Sequence, residues 1–357
     1  MSDLGECGTA DGALAAEAAT ADFPVVRLAR WLAQAKIGTG DDPRLEKFAG
    51  GQSNPTYRLR LDGADYVLRR KPFGPLLPSA HAIEREFRLI SALHPAGFPV
   101  PAPIGLCEDE DVIGAPFYVM TMMEGRNFTD GLLPGLSSED RTAIYNRMAD
   151  TLAHLHTTDI ASVGLSDYGR PGNFFERQVA RWIKQYRAAQ TDEIDEVERL
   201  IEFLPRTVPQ QRSTAIIHGD YRIDNLIFDG RCQPIAVIDW ELSTLGDPLA
   251  DLAYMAMNWV LPVDGRAGLG GARLEELGIP TLEQIVARYC AAAGLEDVPA
   301  LPWYFAFNLF RLVGIIQGVK RRLADGNASS AEAEKVIAKI GPLAKAGWEQ
   351  ALLSGRA

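Results

Sequence analysis

Three oxygen-bearing side chains stand at a spacing suited to phosphoryl transfer. Asp220 lies in His218-Gly-Asp-Tyr-Arg-Ile-Asp-Asn225, with Asn225 at the end of the same stretch, and Asp239 closes the apolar run Ile235-Ala-Val-Ile238. One carboxylate can orient and deprotonate an acceptor hydroxyl, while an amide oxygen and a second carboxylate hold magnesium on nucleotide phosphates. Taken singly, Asp220 or Asp239 reads as a turn cap. Together and in this order they point to kinase-type phosphotransferase chemistry. His218 is expected to brace the loop backbone, since imidazole is a poor ligand for magnesium.

These residues need strands and tight turns around them. Short strands are predicted over 215–217, 226–228 and 235–238, so that Asn225 enters one strand and Asp239 leaves another. Further upstream, residues 56–61 alternate, with Tyr57, Leu59 and Leu61 on one face and Arg58 and Arg60 on the other. Asp62-Gly63 is a hairpin turn into a returning strand over 66–71. Its end carries Arg69, Arg70 and Lys71, of which one is expected to meet the α- and β-phosphates. Gly50-Gly51-Gln52-Ser53-Asn54, between two strands, can donate backbone N–H groups to phosphate or simply connect a hairpin. No Walker loop or Gly-x-Gly-x-x-Gly fingerprint occurs. A helix over 79–93 places Glu86 between Ile83 and Ile90 on its inner stripe. An inward Glu needs a cation such as the Arg69 cluster, and Glu84 competes for that role.

The chain has 357 residues, 47% hydrophobic and 23% charged, enough for two lobes. A net charge of −11 argues against a nucleic-acid or anionic-membrane partner. Four scattered cysteines suggest a reducing compartment rather than a disulfide frame or zinc site. With no basic start, secretory core or membrane-length apolar run, the expected location is cytoplasmic. Residues 1–22 read as a flexible tail, 23–124 as a strand-rich lobe opening with a helix over 23–37, and 125–357 as a mainly helical lobe. Helices in the latter are predicted near 138–155, 174–189, 193–204, 249–260, 282–293, 303–323 and 331–353. The fold class is α+β, a small mixed sheet lobe joined to a larger helical lobe.

The order Gly-Gly-Gln-Ser-Asn, Tyr-Val-Leu-Arg, Ile-Glu-Arg-Glu, Phe-Tyr-Val-Met, His-Gly-Asp and Ile-Asp-Trp-Glu resembles the aminoglycoside phosphotransferase/choline kinase superfamily. The likeness runs over 48–322. It is nearest to the branch found alone in bacteria or fused to acyl-CoA dehydrogenases, with support from 77–81, 172–178 and 240–248. The resemblance implies a protein-kinase-like bilobal fold with ATP bound between the lobes. It makes Asp220 the catalytic Asp, gives magnesium to Asn225 and Asp239, and pairs Glu86 with the strand cation. That cation is commonly Lys, and Arg69 stands at the matching place, a change of geometry as well as residue. Ser53 and Asn54 would fall on the nucleotide loop, and the backbone of Met123 would meet adenine. Fused members are linked to phosphorylation of hydroxyacyl-CoA; no dehydrogenase region is expected within these 357 residues.

For the acceptor, Arg222 sits in the Asp220 loop, and Arg177, Arg181, Lys184 and Tyr186 precede it on one predicted helix. Arg311, Lys320, Arg321 and Arg322 follow Trp303, Tyr304, Phe305, Phe307 and Phe310 on another. Basic and aromatic residues together suit an anionic, partly apolar acceptor such as an acyl-CoA, although aromatics at helical spacing commonly form core. Arg222, Arg181, Tyr186 and Arg311 are the candidate contacts. The expectation is an ATP- and magnesium-dependent kinase of a hydroxylated small molecule. Its alternatives are an aminoglycoside or amino-alcohol kinase and a nucleotide-binding pseudokinase.

Overall fold

Alternating side chains over 56–61 and the Asp62-Gly63 turn do produce a hairpin, the centre of the first unit's sheet. The computed structural model describes residues 17–18, 23–39, 42–48, 54–73, 82–264, 266–325 and 331–356. Strands are β1 (Glu17–Ala18), β2 (Arg44–Lys47), β3 (Thr56–Leu61), β4 (Ala64–Arg70), β5 (Pro103–Cys107) and β6 (Phe117–Thr121). They form one sheet in the order β1-β2-β3-β4-β6-β5, and every pairing is antiparallel, where the sequence had suggested a mixed sheet. Glu17 and Ala18 pair with Lys47 and Glu46, so this part of the expected tail is strand. The rest of that tail up to Asp22 lies outside the described residues, as do Gly50 to Ser53 and the stretch 77–81.

The first unit, Met1–Met123, has its own core. Leu59 and Leu68 from the central hairpin are fully buried with Leu28 and Leu32 of helix Val25–Gln34 and with Phe117 and Val119 of β6. Helix Ile83–Leu93 buries Ile83, Glu86, Leu89, Ile90 and Leu93. This is the 3.6-residue stripe, with a carboxylate set among aliphatic side chains.

The second unit, Glu124–Ala357, is mostly helix. Helix Ser138–Thr157 is capped by Ser137, whose side chain accepts the Asp140 N–H at 3.1 Å. The 24-residue helix Leu301–Ala324 packs against helices Phe174–Ala189 and Ile340–Leu353. One long helix over 331–353 is corrected to two, Ala331–Ile337 and Ile340–Leu353. Pro342 has no N–H to return to the carbonyl four residues earlier, which favours a break there. Two small antiparallel pairs complete the unit: β7 (Ala215–Ile217) with β10 (Thr244–Gly246), and β8 (Leu226–Phe228) with β9 (Pro234–Val237). No helix among the described residues is long and apolar enough to cross a membrane.

Candidate active site

In the second unit, strand register sets the segments carrying Asp220, Asn225 and Asp239 side by side. Leu226 pairs with Val237, and Ile238 N–H donates to the Asn225 carbonyl at 2.9 Å. Asn225, just before one strand, therefore sits beside the start of the turn that carries Asp239. The Asn225 amide nitrogen donates to the Asp220 carbonyl at 2.8 Å and to its carboxylate at 3.1 Å. With the nitrogen so engaged, the amide oxygen is the atom left to face a cation. Asp239 is held at φ 66°, in the left-handed region that Asp tolerates better than most residues. The turn is closed behind it: the Trp240 indole N–H donates to the Val237 carbonyl at 2.9 Å, and Ser243 N–H donates to the Trp240 carbonyl at 3.0 Å.

His218 braces this loop, as its residue type suggested. Its Nδ1 accepts the Asp220 backbone N–H at 3.2 Å, which leaves Nε2 to carry the hydrogen and donate to the Ile238 carbonyl at 2.9 Å. The imidazole thus ties the Asp220 loop to the residue preceding Asp239. Gly219 follows at φ +85°, and a Cβ there would lie 2.7 Å from the Leu242 carbonyl oxygen. Only glycine combines that backbone with that approach.

Beneath the loop is an anchor that sequence reasoning missed. Asp251, fully buried, accepts the backbone N–H groups of His218 at 2.5 Å and Gly219 at 2.8 Å. His156 Nε2 lies 3.3 Å from the same carboxylate, and its Nδ1 is 2.7 Å from the Tyr289 hydroxyl. Burial alone would raise the Asp251 pKa, but the contacts to His156 and to the loop backbone outweigh it and leave the value lowered. A sequence signal existed: Asp251 is the one charged residue in the otherwise apolar run Pro248 to Met257, and a charged residue buried in such a run needs a partner. Tyr254, on the same helix, was also missed. Its burial and the Asp220 charge push its pKa well up.

Arg222 spans the loop, 3.4 Å from the Asp220 carboxylate and 2.7 Å from Asp224, and is about one-third exposed. Arg311 reaches the loop from helix Leu301–Ala324, its Nη2 donating to the Gly219 carbonyl at 3.0 Å. Arg181 is exposed, 6.0 Å from the Trp182 ring. Tyr186, by contrast, is fully buried near Phe310, which removes it as a direct acceptor contact. Trp303, Tyr304, Phe305, Phe307 and Phe310 are likewise core, so the expected basic-aromatic surface reduces to its basic half. Of that half, Arg177 is spent on the Gly172 and Arg170 carbonyls, and Lys320 pairs with Asp192.

In the first unit, Glu86 is the partner of Arg69, at 2.9 Å. The carboxylate is 2% exposed and also accepts from Asn54 Nδ2 at 2.9 Å and from the Tyr118 hydroxyl at 3.1 Å. Register explains the choice, because Arg69 pairs with both Thr56 and Tyr118 in the sheet and so lies beside the hydroxyl that Glu86 uses. Glu84 goes instead to Lys71, at 3.0 Å. Arg70, on the other face, donates to the Tyr57 hydroxyl at 3.2 Å and stacks 3.8 Å from the Phe73 ring. Asn54 is fully buried, so its side chain serves Glu86 rather than a nucleotide. Ser53 lies outside the described residues. Met123, partly exposed, follows β6 in backbone that is neither helix nor strand.

The donor set is hard oxygen, which suits magnesium. No cluster of three or more His, Cys, Asp or Glu able to hold a metal occurs among the described residues. A magnesium ion that takes most of its ligands from phosphate and water needs no such cluster.

The profile described as "Phosphotransferase enzyme family" matches residues 44–339. Acyl-CoA dehydrogenase family member 10 of Mus musculus is 44% identical over 324 residues, which is 89% of this chain but only 30% of that protein. A crystal structure of a Ralstonia eutropha JMP134 protein assigned as an aminoglycoside phosphotransferase superposes with a TM-score of 0.85. It is 41% identical, and the match covers 93% of this chain and 99% of that one. The aminoglycoside phosphotransferase APH(4)-Ia, solved with ADP and hygromycin B, shares the fold at a TM-score of 0.57 and 16% identity, over 90% of this chain and 98% of that one.

Proposed function

Because the chain belongs to the phosphotransferase enzyme family, we propose that it moves the γ-phosphate of ATP to a hydroxyl of a small molecule. The observation that carries this reading is the convergence of Asp220, Asn225 and Asp239 on one braced loop and turn. The acceptor oxygen attacks the γ-phosphorus, the bond to the β,γ-bridging oxygen breaks, and the hydroxyl proton passes to the Asp220 carboxylate. The Asn225 amide oxygen and the Asp239 carboxylate would hold magnesium, which when bound would neutralise charge on the phosphates. Arg69, oriented by Glu86, meets the phosphates that are not transferred, and the Met123 backbone meets the adenine. The intact oxygen set favours catalysis over a pseudokinase. Among the described residues, the buried free thiols Cys107, Cys232 and Cys290 accord with a cytoplasmic site of action.

For the acceptor we favour a hydroxyacyl-CoA or related hydroxy acid. Two observations support it: the 44% identity to a protein named as an acyl-CoA dehydrogenase family member, and the guanidinium of Arg311 against the Asp220 loop. An amino-sugar acceptor carries cations that this guanidinium would repel. The test is ADP release with MgATP across hydroxyacyl-CoAs, hydroxy acids, amino-alcohols and aminoglycosides. Release dependent on a hydroxyacyl acceptor is expected, falling by about 10²- to 10⁴-fold in Asp220→Asn while ATP still binds. Undiminished turnover in Asp220→Asn removes the proposed base, and turnover of amino-alcohols alone transfers the assignment to them.

A further inference from the structure

Behind the Asp220 loop, within the second unit, lies a cavity of about 30 Å³. That is room for at least one water-sized group. Phe174, Ile217 and Phe307 give it a buried apolar floor, while Gln178, Trp182 and Arg311 at its edge keep partial exposure. Two nitrogen donors face it from adjacent turns of helix Leu301–Ala324, Asn308 and Arg311. Asn308 is 1% exposed, and its amide nitrogen has no hydrogen-bond partner among the described residues. The same holds for Arg311 Nε, although Nη2 of that side chain is committed to the Gly219 carbonyl. Unpaired amide and guanidinium N–H groups against an apolar wall are costly, and proteins place an oxygen acceptor opposite them. The carboxylate in the lining, Asp251, cannot serve, because the His218 and Gly219 N–H groups and His156 already occupy it.

We propose that this cavity is the acceptor's carbonyl subsite: Asn308 Nδ2 and Arg311 Nε donate to the carbonyl or carboxylate oxygen of the molecule whose hydroxyl Asp220 deprotonates. This deepens the functional reading above and rests on it. The placement is suitable, because the Arg311 guanidinium stands 5.0 Å from the Tyr254 ring and 5.6 Å from the Trp182 ring. Arg311 also holds the Gly219 carbonyl, and Gly219, which lines the cavity, is the residue before Asp220. Two donors and a fixed positive charge select an oxygen with lone pairs and reject an ammonium group. The subsite therefore rejects the ammonium groups of amino-sugars and disfavours a diol, whose hydroxyl can accept the same bonds but strands its own hydrogen against the apolar floor.

The experiment is steady-state kinetics of the full chain on matched acceptors, a hydroxyacyl-CoA or hydroxycarboxylate against the diol of the same length. Asn308→Leu and Arg311→Gln are compared with wild type, and ATP binding and melting temperature are followed in each. Loss of one such hydrogen bond is expected to raise KM for the carbonyl-bearing acceptor about 10- to 100-fold. KM for ATP should hold and the preference over the diol should collapse. Should Asn308→Leu fail to fold, Asn308→Asp keeps the volume and sets a carboxylate against the carbonyl oxygen, with the same expected loss. Equal losses on both acceptors would mean that the two residues only brace the loop, and unchanged kinetics would mean that the donors hold water; either result overturns the subsite alone. A wild-type enzyme that turns over no carbonyl-bearing acceptor overturns the acceptor reading and the subsite with it.

Discussion

Asp239 occupies left-handed backbone at φ 66°, a strained position for a residue with a side chain, whereas Gly219 at φ +85° takes backbone that glycine adopts freely. Residues held in such regions cost about 1–3 kcal/mol and persist where surrounding contacts over-determine them. Here the Trp240 indole and the His218 imidazole supply those contacts. Asn tolerates the same backbone, so Asp239→Asn isolates charge from conformation. It should melt within a degree or so of wild type yet lose magnesium-dependent ATP binding, measured by calorimetry with and without the ion; unchanged affinity removes Asp239 from the metal. Gly219→Ala should do the opposite. A methyl 2.7 Å from the Leu242 carbonyl forces the loop away, lowering stability by roughly 1–3 kcal/mol. Turnover should fall about 100-fold through misplacement of Asp220, with ATP affinity little altered. Denaturant melts beside kinetics check both parts.

Between β4 and helix Ile83–Leu93, one carboxylate decides how two elements face each other. Glu86 serves Arg69, Asn54 and Tyr118 at once, in a site only 2% exposed. Removing one partner of a buried pair strands the other. Glu86→Leu should therefore cost about 3–5 kcal/mol and weaken ATP binding. Adding Arg69→Met should return part of the stability and none of the affinity, a separation that melting and calorimetry on the double variant resolve. The strand ends around Asn225 and Asp239 show the same economy: pairing of Leu226 with Val237 sets both side chains at once.

At the scale of the whole molecule, stability should carry the signature of two buried carboxylates in opposite environments. Burial pushes Asp247 up to about 6, its hydrogen bond from Leu249 N–H notwithstanding. Asp251, four residues on, is held below the usual range. The stabilisation tied to protonated Asp247 is full below pH 3.8 and is lost as pH rises through about 6. That from Asp251 is present above the ordinary carboxylate value and is lost as pH falls through its lowered one. Asp247→Asn keeps an acceptor for the Leu249 N–H and removes the ionisation. It should gain on the order of 2–3 kcal/mol at pH 7–8 and flatten the melting curve between pH 4 and 6. A profile identical to wild type would show that Asp247 titrates normally.

Local pattern was enough for much of this protein. Alternation and Asp-Gly gave the β3–β4 hairpin, and the apolar run 235–238 gave the strand before Asp239. The order of His218, Asp220, Asn225 and Asp239 named the chemistry, because backbone dihedrals and side-chain facing are set by near neighbours. Partner choice was not local. The residues alone left Glu84 and Glu86 open, and sheet register beside Tyr118 separated them. Helical spacing could not tell the aromatic face of Leu301–Ala324 from a ligand surface, and packing against Phe174–Ala189 buried it. Asp251 beneath His218, and Asn308 with Arg311 behind Gly219, are contacts made across long sequence separations. Such groups meet only when the apolar faces of their elements pack, so tertiary structure alone decided which of them surround Asp220.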